Sequence, residues 1–297
     1  MRLFQGDCLE IMPKLDPKSV DMVLCDLPYG RTQNKWDTQI PLDKLWAEFE
    51  RIVKDNGVIV LFAQTPFDKQ LGSSNPKMLK YEWIWVKKQG SGHLNAKKMP
   101  LKRHENILVF YKNLPKYNPQ MTEGKAYTAQ SGRASDNYGK QKSTLTVNNG
   151  TRYPTSILEF KSEKGMHPTQ KPVALCEYLI KTYTDEGDTV LDCCMGSGTT
   201  GVASCKLNRE FIGIEWQNKS PACLRSLVFI FKVSEIEKLI VKAALTDSCT
   251  WFMAKAKSAV IPKSFNTDSI FISLNPLLFI SPTCPIGLNG LMSSGWS

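Results

Sequence analysis

The chain has 297 residues, of which 42% are hydrophobic and 22% are charged. This composition excludes a disordered or fibrous protein and is sufficient for one large domain or two modest ones. No apolar segment of the kind found in secretory signals occurs near the first residue. The nine cysteines are odd in number and lack the paired spacing of a zinc site, so we expect a reducing, cytoplasmic location and no metal ion.

The elements predicted in chain order alternate between strand and helix over the first two thirds of the chain. Strands are predicted at 2–5, 21–25, 58–62, 81–86, 106–111, 188–191 and 210–214. Helices are predicted at 8–15, 42–53, 67–72, from 172 to 183, and at 199–207. Such alternation is typical of the α/β class, with a doubly wound, mostly parallel sheet and helices on both faces.

The positive charge is concentrated in one segment. Residues 77–142 contain 14 Lys and Arg but only 4 Asp and Glu, so their net charge of +10 equals that of the whole chain. Aromatic and small polar residues are interleaved with these charges, which is typical of a nucleic-acid-binding surface. A merely solvated basic face is the alternative.

A strand followed by a glycine-containing turn and a helix is predicted at 191–201. Gly196 and Gly198 allow a ligand to approach the backbone closely, and Glu215 ends the next strand, where an acidic residue can accept hydrogen bonds from ribose hydroxyls. The turn is not a phosphate-binding P-loop, because no lysine follows the second glycine at the required place. An ordinary strand–turn–helix remains the alternative.

A second polar turn, Asp26-Leu-Pro-Tyr29, follows a predicted buried strand. Ligands of open α/β sheets bind at the carboxyl ends of the strands. A carboxylate, a backbone carbonyl and an aromatic ring within four residues can accept two hydrogen bonds from an amine and stack on a planar base. A simple strand-ending turn is the alternative, since Asp and Pro are common in turns.

Taken together, five phrases over residues 1–215 resemble the S-adenosylmethionine-dependent amino-group DNA methyltransferases, which act on adenine N6 or cytosine N4. Their order resembles the β-ordered subgroup, in which the catalytic motif precedes the cofactor motif and the fold is circularly permuted. The phrases are Gly6-Asp7-Cys8, Asp26-Leu-Pro-Tyr29, His167-Pro-Thr-Gln-Lys-Pro172, Asp192-Cys-Cys-Met-Gly-Ser-Gly-Thr-Thr200 and Phe211-Ile-Gly-Ile-Glu215.

Two positions depart from the family phrases. Leu27 stands where the catalytic motif, (D/N/S)PP(Y/F), has its first proline, but the group required there is a backbone carbonyl, which every residue has. Cys193 and Cys194 replace the Pro-Phe of DPFxGSGTT, which removes an aromatic contact with the cofactor. Neither change removes a functional atom, and we interpret all nine cysteines as packing residues.

The resemblance implies roles for individual residues. The catalytic residues would be Asp26, Leu27, Pro28 and Tyr29. Cofactor binding would involve Asp7, Cys8, Thr169, Lys171, Asp192, Gly196, Ser197, Gly198, Thr199 and Glu215. Residues 87–103 are expected to form a flexible basic loop whose Lys87, Lys88, Lys97, Lys98, Lys102 and Arg103 contact DNA phosphates.

The implied domain organisation has a catalytic half at 1–112, an irregular target-recognition region at 113–166 and a cofactor-binding half at 167–216. Residues 217–297 hold only 12 charged residues in 81, and the last 29 hold none. Prolines interrupt this apolar run, so a membrane helix is not expected. We hypothesise that this tail is not an evolved part of the fold; a genuine accessory module is the alternative.

The predicted function is site-specific methylation of adenine N6 in double-stranded DNA, of the restriction-modification type. Aspartate at position 26 favours adenine over cytosine. The alternatives are an N4-cytosine methyltransferase and a catalytically impaired DNA-binding protein with the same fold. An RNA or protein-glutamine methyltransferase is disfavoured by the motif order and by the basic segment. Whether the protein is a monomer or a homodimer is left open.

Overall fold

The computed structural model describes residues 1–30, 37–131, 143–163 and 170–216. Its strands are β1 Arg2–Gln5, β2 Val20–Asp26, β3 Val53–Ala63, β4 Leu79–Ser91, β5 Lys102–Phe110, β6 Thr122–Glu123, β7 Tyr127–Ser131, β8 Thr144–Asn148, β9 Thr151–Arg152, β10 Ile157–Glu159, β11 Thr189–Asp192 and β12 Glu210–Glu215. Its α-helices are α1 Cys8–Ile11, α2 Leu42–Ile52, α3 Phe67–Ser74, α4 Val173–Tyr183 and α5 Thr199–Lys206. Short 3₁₀ helices cover Met12–Lys14 and His93–Asn95.

Eight strands form one sheet in the order β1-β12-β11-β2-β3-β5-β4-β10. All neighbouring pairs are parallel except those of β5, which runs antiparallel to both β3 and β4. The predicted α/β class with a mostly parallel sheet is confirmed.

Alternate residues of the central strands enter two separate hydrophobic clusters. Val23 and Cys25 of β2 pack with α1, α2 and α3, whereas Met22 and Leu24 pack with α4 and α5. Side chains of a strand alternate between faces, so the almost uninterrupted apolar run of β2 reflects burial on both sides. The sheet is therefore doubly wound, with helices on each face.

The first strand of the chain pairs with the last strand that the structure describes. Gln5 of β1 lies beside Glu215 of β12, and β12 in turn pairs with β11. This arrangement brings the amino-terminal phrase next to the two phrases near residues 192 and 215. The carboxyl ends of β1, β2, β11 and β12 meet at one edge of the sheet because these four strands are parallel.

The expectation of a flexible loop over 87–103 is wrong at both ends. Residues up to Ser91 extend β4, and β5 begins at Lys102, so the connection is confined to 92–101. Antiparallel pairing of Ser91 with Lys102 extends the hairpin beyond the range that hydrophobic pattern alone indicates. A basic strand end replaces much of the predicted loop.

The region 113–166 has more regular structure than its composition indicates. In its described parts, β6 pairs with β9, β7 pairs with β8, and β10 joins the main sheet beside β4. Thr169 and the tail at 217–297 lie outside the described residues. None of the described helices has the length and apolar character needed to cross a membrane.

Candidate active site

A cleft of about 910 Å³ opens at the edge where the parallel strands end. It is lined by residues from every predicted phrase that the structure describes. Among the predicted site residues, its walls include Asp7, Cys8, Asp26, Leu27, Pro28, Tyr29, Lys87, Lys102, Lys171, Asp192, Gly196, Ser197, Thr199 and Glu215.

The Asp26–Tyr29 turn forms one wall of the cleft. The Tyr29 hydroxyl donates a hydrogen bond of 2.6 Å to Oδ1 of Asp26, and its ring lies 5.1 Å from that of Phe67. Burial raises the pKa of Tyr29 well above its ordinary value, and the nearby carboxylates of Asp26 and Glu105 add to the shift. Tyr29 is therefore a neutral donor that holds the Asp26 carboxylate in place.

The glycine-containing turn after β11 forms an adjoining part of the cleft wall. Gly196 and Gly198 have φ of +50° and +76°, which explains why glycines occupy these positions. The Gly196 amide donates a 2.9 Å hydrogen bond to the Glu215 carboxylate. Asp192 is buried and accepts a 3.1 Å hydrogen bond from the Cys194 amide; burial, followed by the neighbouring Cys25, raises its pKa well above the ordinary range.

The amino-terminal phrase, Gly6-Asp7-Cys8, lines the cleft beside the glycine-containing turn. Asp7 caps α1, because its Oδ1 accepts a 2.8 Å hydrogen bond from the Leu9 amide. The Gly6 amide donates to the backbone carbonyl of Glu215 at 3.0 Å. Asp7 and Glu215 are thereby fixed side by side at the ends of β1 and β12.

The two main turns, which are far apart in the sequence, meet in space. They follow β2 and β11, which are neighbours in the sheet, with Leu191 beside Val23. The Cys25 and Cys193 sulfurs are only 3.5 Å apart. A polar amine binding at Asp26 and a ligand binding at the glycine turn would therefore share one cleft.

Comparison with known proteins identifies this architecture. A family model described as DNA methylase, covering N6 and N4 enzymes, matches residues 20–220. The chain belongs to this family of amino-group DNA methyltransferases.

Relatives and solved structures agree with this assignment. The chain is 30% identical over 230 residues to the DNA adenine methyltransferase YhdJ of Escherichia coli K12, with 72% of this chain and 77% of that protein covered. It is 29% identical over 241 residues to the type II methyltransferase M.HpaI of Haemophilus parainfluenzae, covering 72% and 69%. The crystal structure of an M1.HpyAVI–S-adenosylmethionine complex is similar with a TM-score of 0.53 and 25% identity, covering 76% of this chain and 98% of that one.

S-adenosylmethionine is the cofactor of these methyltransferases, and the cleft of this methyltransferase fits it. Carboxyl groups of Asp7, Asp192 and Glu215 line the cleft. A side chain at Gly196 would stand in open space near that turn, since the nearest atom to its ideal Cβ is the Cys194 carbonyl at 3.9 Å. The turn thus leaves room for a ligand against its backbone.

The methyltransferase also carries a buried charge network that sequence reasoning missed. Lys171 contacts Oδ2 of Asp26 and lies 3.5 Å from Oε2 of Glu105. Lys87 contacts the other oxygen of Glu105, to which Gln64 donates at 2.8 Å. Cations and carboxylates therefore alternate along the wall beside Asp26.

The charges of this network stabilise one another. Burial alone would lower the pKa of Lys171, but the Asp26 and Glu105 carboxylates raise it. Burial alone would raise the pKa of Glu105, but the charges of Lys171 and then Lys87 lower it. Among the described residues, Oε2 of Glu105 is buried without a hydrogen-bond partner, and its ion pair with Lys171 is 3.5 Å long.

The six basic residues assigned to DNA contact divide into two groups. Lys87 and Lys102 point into the polar wall of the cleft, and Lys102 donates to Gln64 at 3.0 Å. The remaining four are exposed, namely Lys88, Lys97, Lys98 and Arg103. Several residues of the 92–101 connection line the cleft, so Lys97 and Lys98 of that connection lie near it.

Proposed function

We propose that this methyltransferase transfers a methyl group from S-adenosylmethionine to the N6 amino group of adenine in double-stranded DNA, at a specific sequence. Family membership supports methylation of an amino group in DNA, and the name of YhdJ, a DNA adenine methyltransferase, supports the choice of adenine. The observation that carries the proposal is the single cleft shared by the Asp26–Tyr29 turn and the glycine turn.

In this proposal, Asp26 and the Leu27 carbonyl accept hydrogen bonds from the exocyclic amine. The lone pair of that amine is delocalised into the ring, so two acceptors are needed to localise it toward the methyl group. Bound S-adenosylmethionine supplies the electrophilic methyl. As the bond from nitrogen to the methyl carbon forms, the carbon–sulfur bond would break and S-adenosylhomocysteine would leave. The Asp26 carboxylate would stabilise the positive charge on nitrogen until the surplus proton passes to solvent.

The target base must leave the DNA stack to reach Asp26, at a cost of a few kcal/mol. Stacking on the Tyr29 ring recovers part of that cost. Tyr29 is suited to this role because its hydroxyl is tied to Asp26 and its ring is supported by Phe67. An aromatic face is thus held next to the acceptor.

We assign Asp7, Cys8, Asp192, Gly196, Ser197, Gly198, Thr199 and Glu215 to the cofactor side of the cleft. Thr169 keeps its predicted role on the resemblance of its phrase alone. Lys171 is better suited to positioning Asp26 than to binding the cofactor, because its ammonium group is ion-paired with Asp26 and Glu105. Lys88, Lys97, Lys98 and Arg103 would bind phosphates around the flipped base.

The experiment is methyl transfer from isotopically labelled S-adenosylmethionine to unmethylated DNA, followed by digestion and mass spectrometry of the nucleosides. We expect labelled N6-methyladenine on duplex DNA and no further label on DNA that has already been fully methylated. Label in N4-methylcytosine would establish the cytosine alternative. Cofactor binding without label in any base would establish the catalytically impaired alternative, and preference for single strands would contradict the duplex substrate.

A further inference from the structure

Four cysteines from three separate parts of the chain converge below the cofactor side of the cleft. The sulfurs of Cys8, Cys193 and Cys194 all lie within 4.8 Å of one another. The Cys25 sulfur lies 3.5 Å from that of Cys193. They converge because β1, β2 and β11 end at the same edge of the sheet, whereas nothing in their sequence spacing indicates a cluster.

The separations are close to those of sulfurs that share one metal ion. A zinc–thiolate bond is about 2.3 Å long, so two sulfurs on one tetrahedral ion are roughly 3.8 Å apart. An approach of about 1 Å by the most distant pair would therefore suffice. Two of the three ligands, Cys193 and Cys194, replace the Pro-Phe of the family phrase, so the cluster depends on the residues by which this chain departs from it.

An ion could reach the cluster from the cleft. Cys8, Cys193 and Cys194 line its wall, and Cys194 is partly exposed. The Asp7 carboxylate lines the same cleft and favours a cation over an anion. Thiolates are soft ligands, which select Zn²⁺ and Cu(I) over Mg²⁺ or Ca²⁺.

We propose that Cys8, Cys193 and Cys194 form a binding site for one thiophilic cation of the Zn²⁺ class in the floor of the cofactor cleft. The Cys25 sulfur contacts the Cys193 sulfur at 3.5 Å and supports that ligand from behind. Binding replaces the thiol protons by the metal, and the protons go to solvent. Because the ligands line the cleft in which the cofactor binds, ion and cofactor compete.

The test is an anaerobic titration of the reduced, full-length protein with Cd²⁺, without DNA, following the thiolate-to-metal charge-transfer absorption. We expect one equivalent to saturate the band and Zn²⁺ to displace it. The Cys193→Ser/Cys194→Ser variant should bind at least about 100-fold more weakly, because it retains one thiolate of the three. Cys205→Ser, at the end of α5 and outside the cluster, is the matched control and should bind like the parent.

Two results would overturn the assignment: a charge-transfer band that survives in the Cys193→Ser/Cys194→Ser variant, or one that is lost in Cys205→Ser. If the double serine variant does not fold, Cys193→Pro/Cys194→Phe, which restores the family residues, gives the same comparison.

Competition provides an independent readout. Saturating S-adenosylmethionine should lower the apparent Cd²⁺ affinity, and by linkage Cd²⁺ should lower cofactor affinity by the same factor. Cd²⁺ binding that the cofactor does not change would place the ion outside the cleft and overturn the proposal. A failure of DNA methylation would leave this measurement unaffected, because it involves neither DNA nor methyl transfer.

Discussion

Replacing Lys171 by methionine tests the buried charge network. Lys171 is the only cation that touches both Asp26 and Glu105 among the described residues, and its side chain is 10% exposed. Lys171→Met keeps most of the volume but removes the ion pairs with both carboxylates, whereas Lys87 still pairs with Glu105. Removing one partner of a buried pair costs about 3–5 kcal/mol. Asp26 is 31% exposed, so we expect the lower end, about 3 kcal/mol.

The assay is equilibrium urea unfolding followed by tryptophan fluorescence, together with the thermal midpoint. A loss of about 3 kcal/mol should lower the midpoint by roughly 6–12 °C in a domain of this size. Lys206→Met is the matched control, since Lys206 pairs with Glu177 at 3.2 Å at a site where the lysine is 54% exposed. Such an exposed pair contributes at most about 1 kcal/mol.

A second substitution separates charge from packing. Adding Glu105→Gln to Lys171→Met removes one of the stranded carboxylates, so the double variant should recover at least about half of the lost stability. If Lys171→Met and Lys206→Met lower the free energy of unfolding equally, the network is refuted. If the effects of Lys171→Met and Glu105→Gln simply add in the double variant, the loss in Lys171→Met comes from packing.

Three further predictions follow from the same geometry. The double variant Lys97→Gln/Lys98→Gln should weaken DNA binding and reduce the slope of log affinity against log salt concentration by about 2. The control variant Lys44→Gln, on α2, should change neither. An unchanged slope in the double variant would show that these two lysines do not contact phosphates. Glu215→Gln should weaken cofactor binding at least about tenfold by calorimetry without changing DNA affinity, and equal cofactor affinity would contradict the ribose assignment. Despite burial, the charges of Lys171 and Lys87 lower the pKa of Glu105 from 4.5. The ionised carboxylate therefore contributes its full share to the free energy of unfolding above pH 4.5, and this share is lost as the pH falls below that value. Glu105→Gln should flatten the acid limb of the stability–pH curve, and an unchanged limb would contradict that linkage.

The sequence predicts the strands and helices well because the hydrophobic pattern that specifies them is local and periodic. The apolar runs at β2 and β3 predict buried parallel strands, and the turns after β2 and β11 hold polar residues where ligands of such sheets bind. The carboxyl ends of parallel strands share one edge, so the meeting of Asp26 with the glycine turn is expected from topology once both strands are assigned.

Contacts that depend on sheet order are not predictable in this way. Glu105 reaches the site because β5 runs antiparallel, so that its amino end lies at the edge where the other strands finish. No local pattern gives that direction. The cysteine cluster is hidden for a related reason, since Cys8 and Cys193 are 185 positions apart and meet only because β1, β12, β11 and β2 are successive neighbours.

The most direct test of the account is a paired measurement on Asp26→Asn: the single-turnover rate of methyl transfer to duplex DNA and the dissociation constant for S-adenosylmethionine. If Asp26 accepts the target amine and the glycine turn binds the cofactor, transfer falls at least about 100-fold while cofactor affinity stays within about threefold. Undiminished transfer, or a parallel loss of cofactor binding, would contradict the division of the cleft between the two turns.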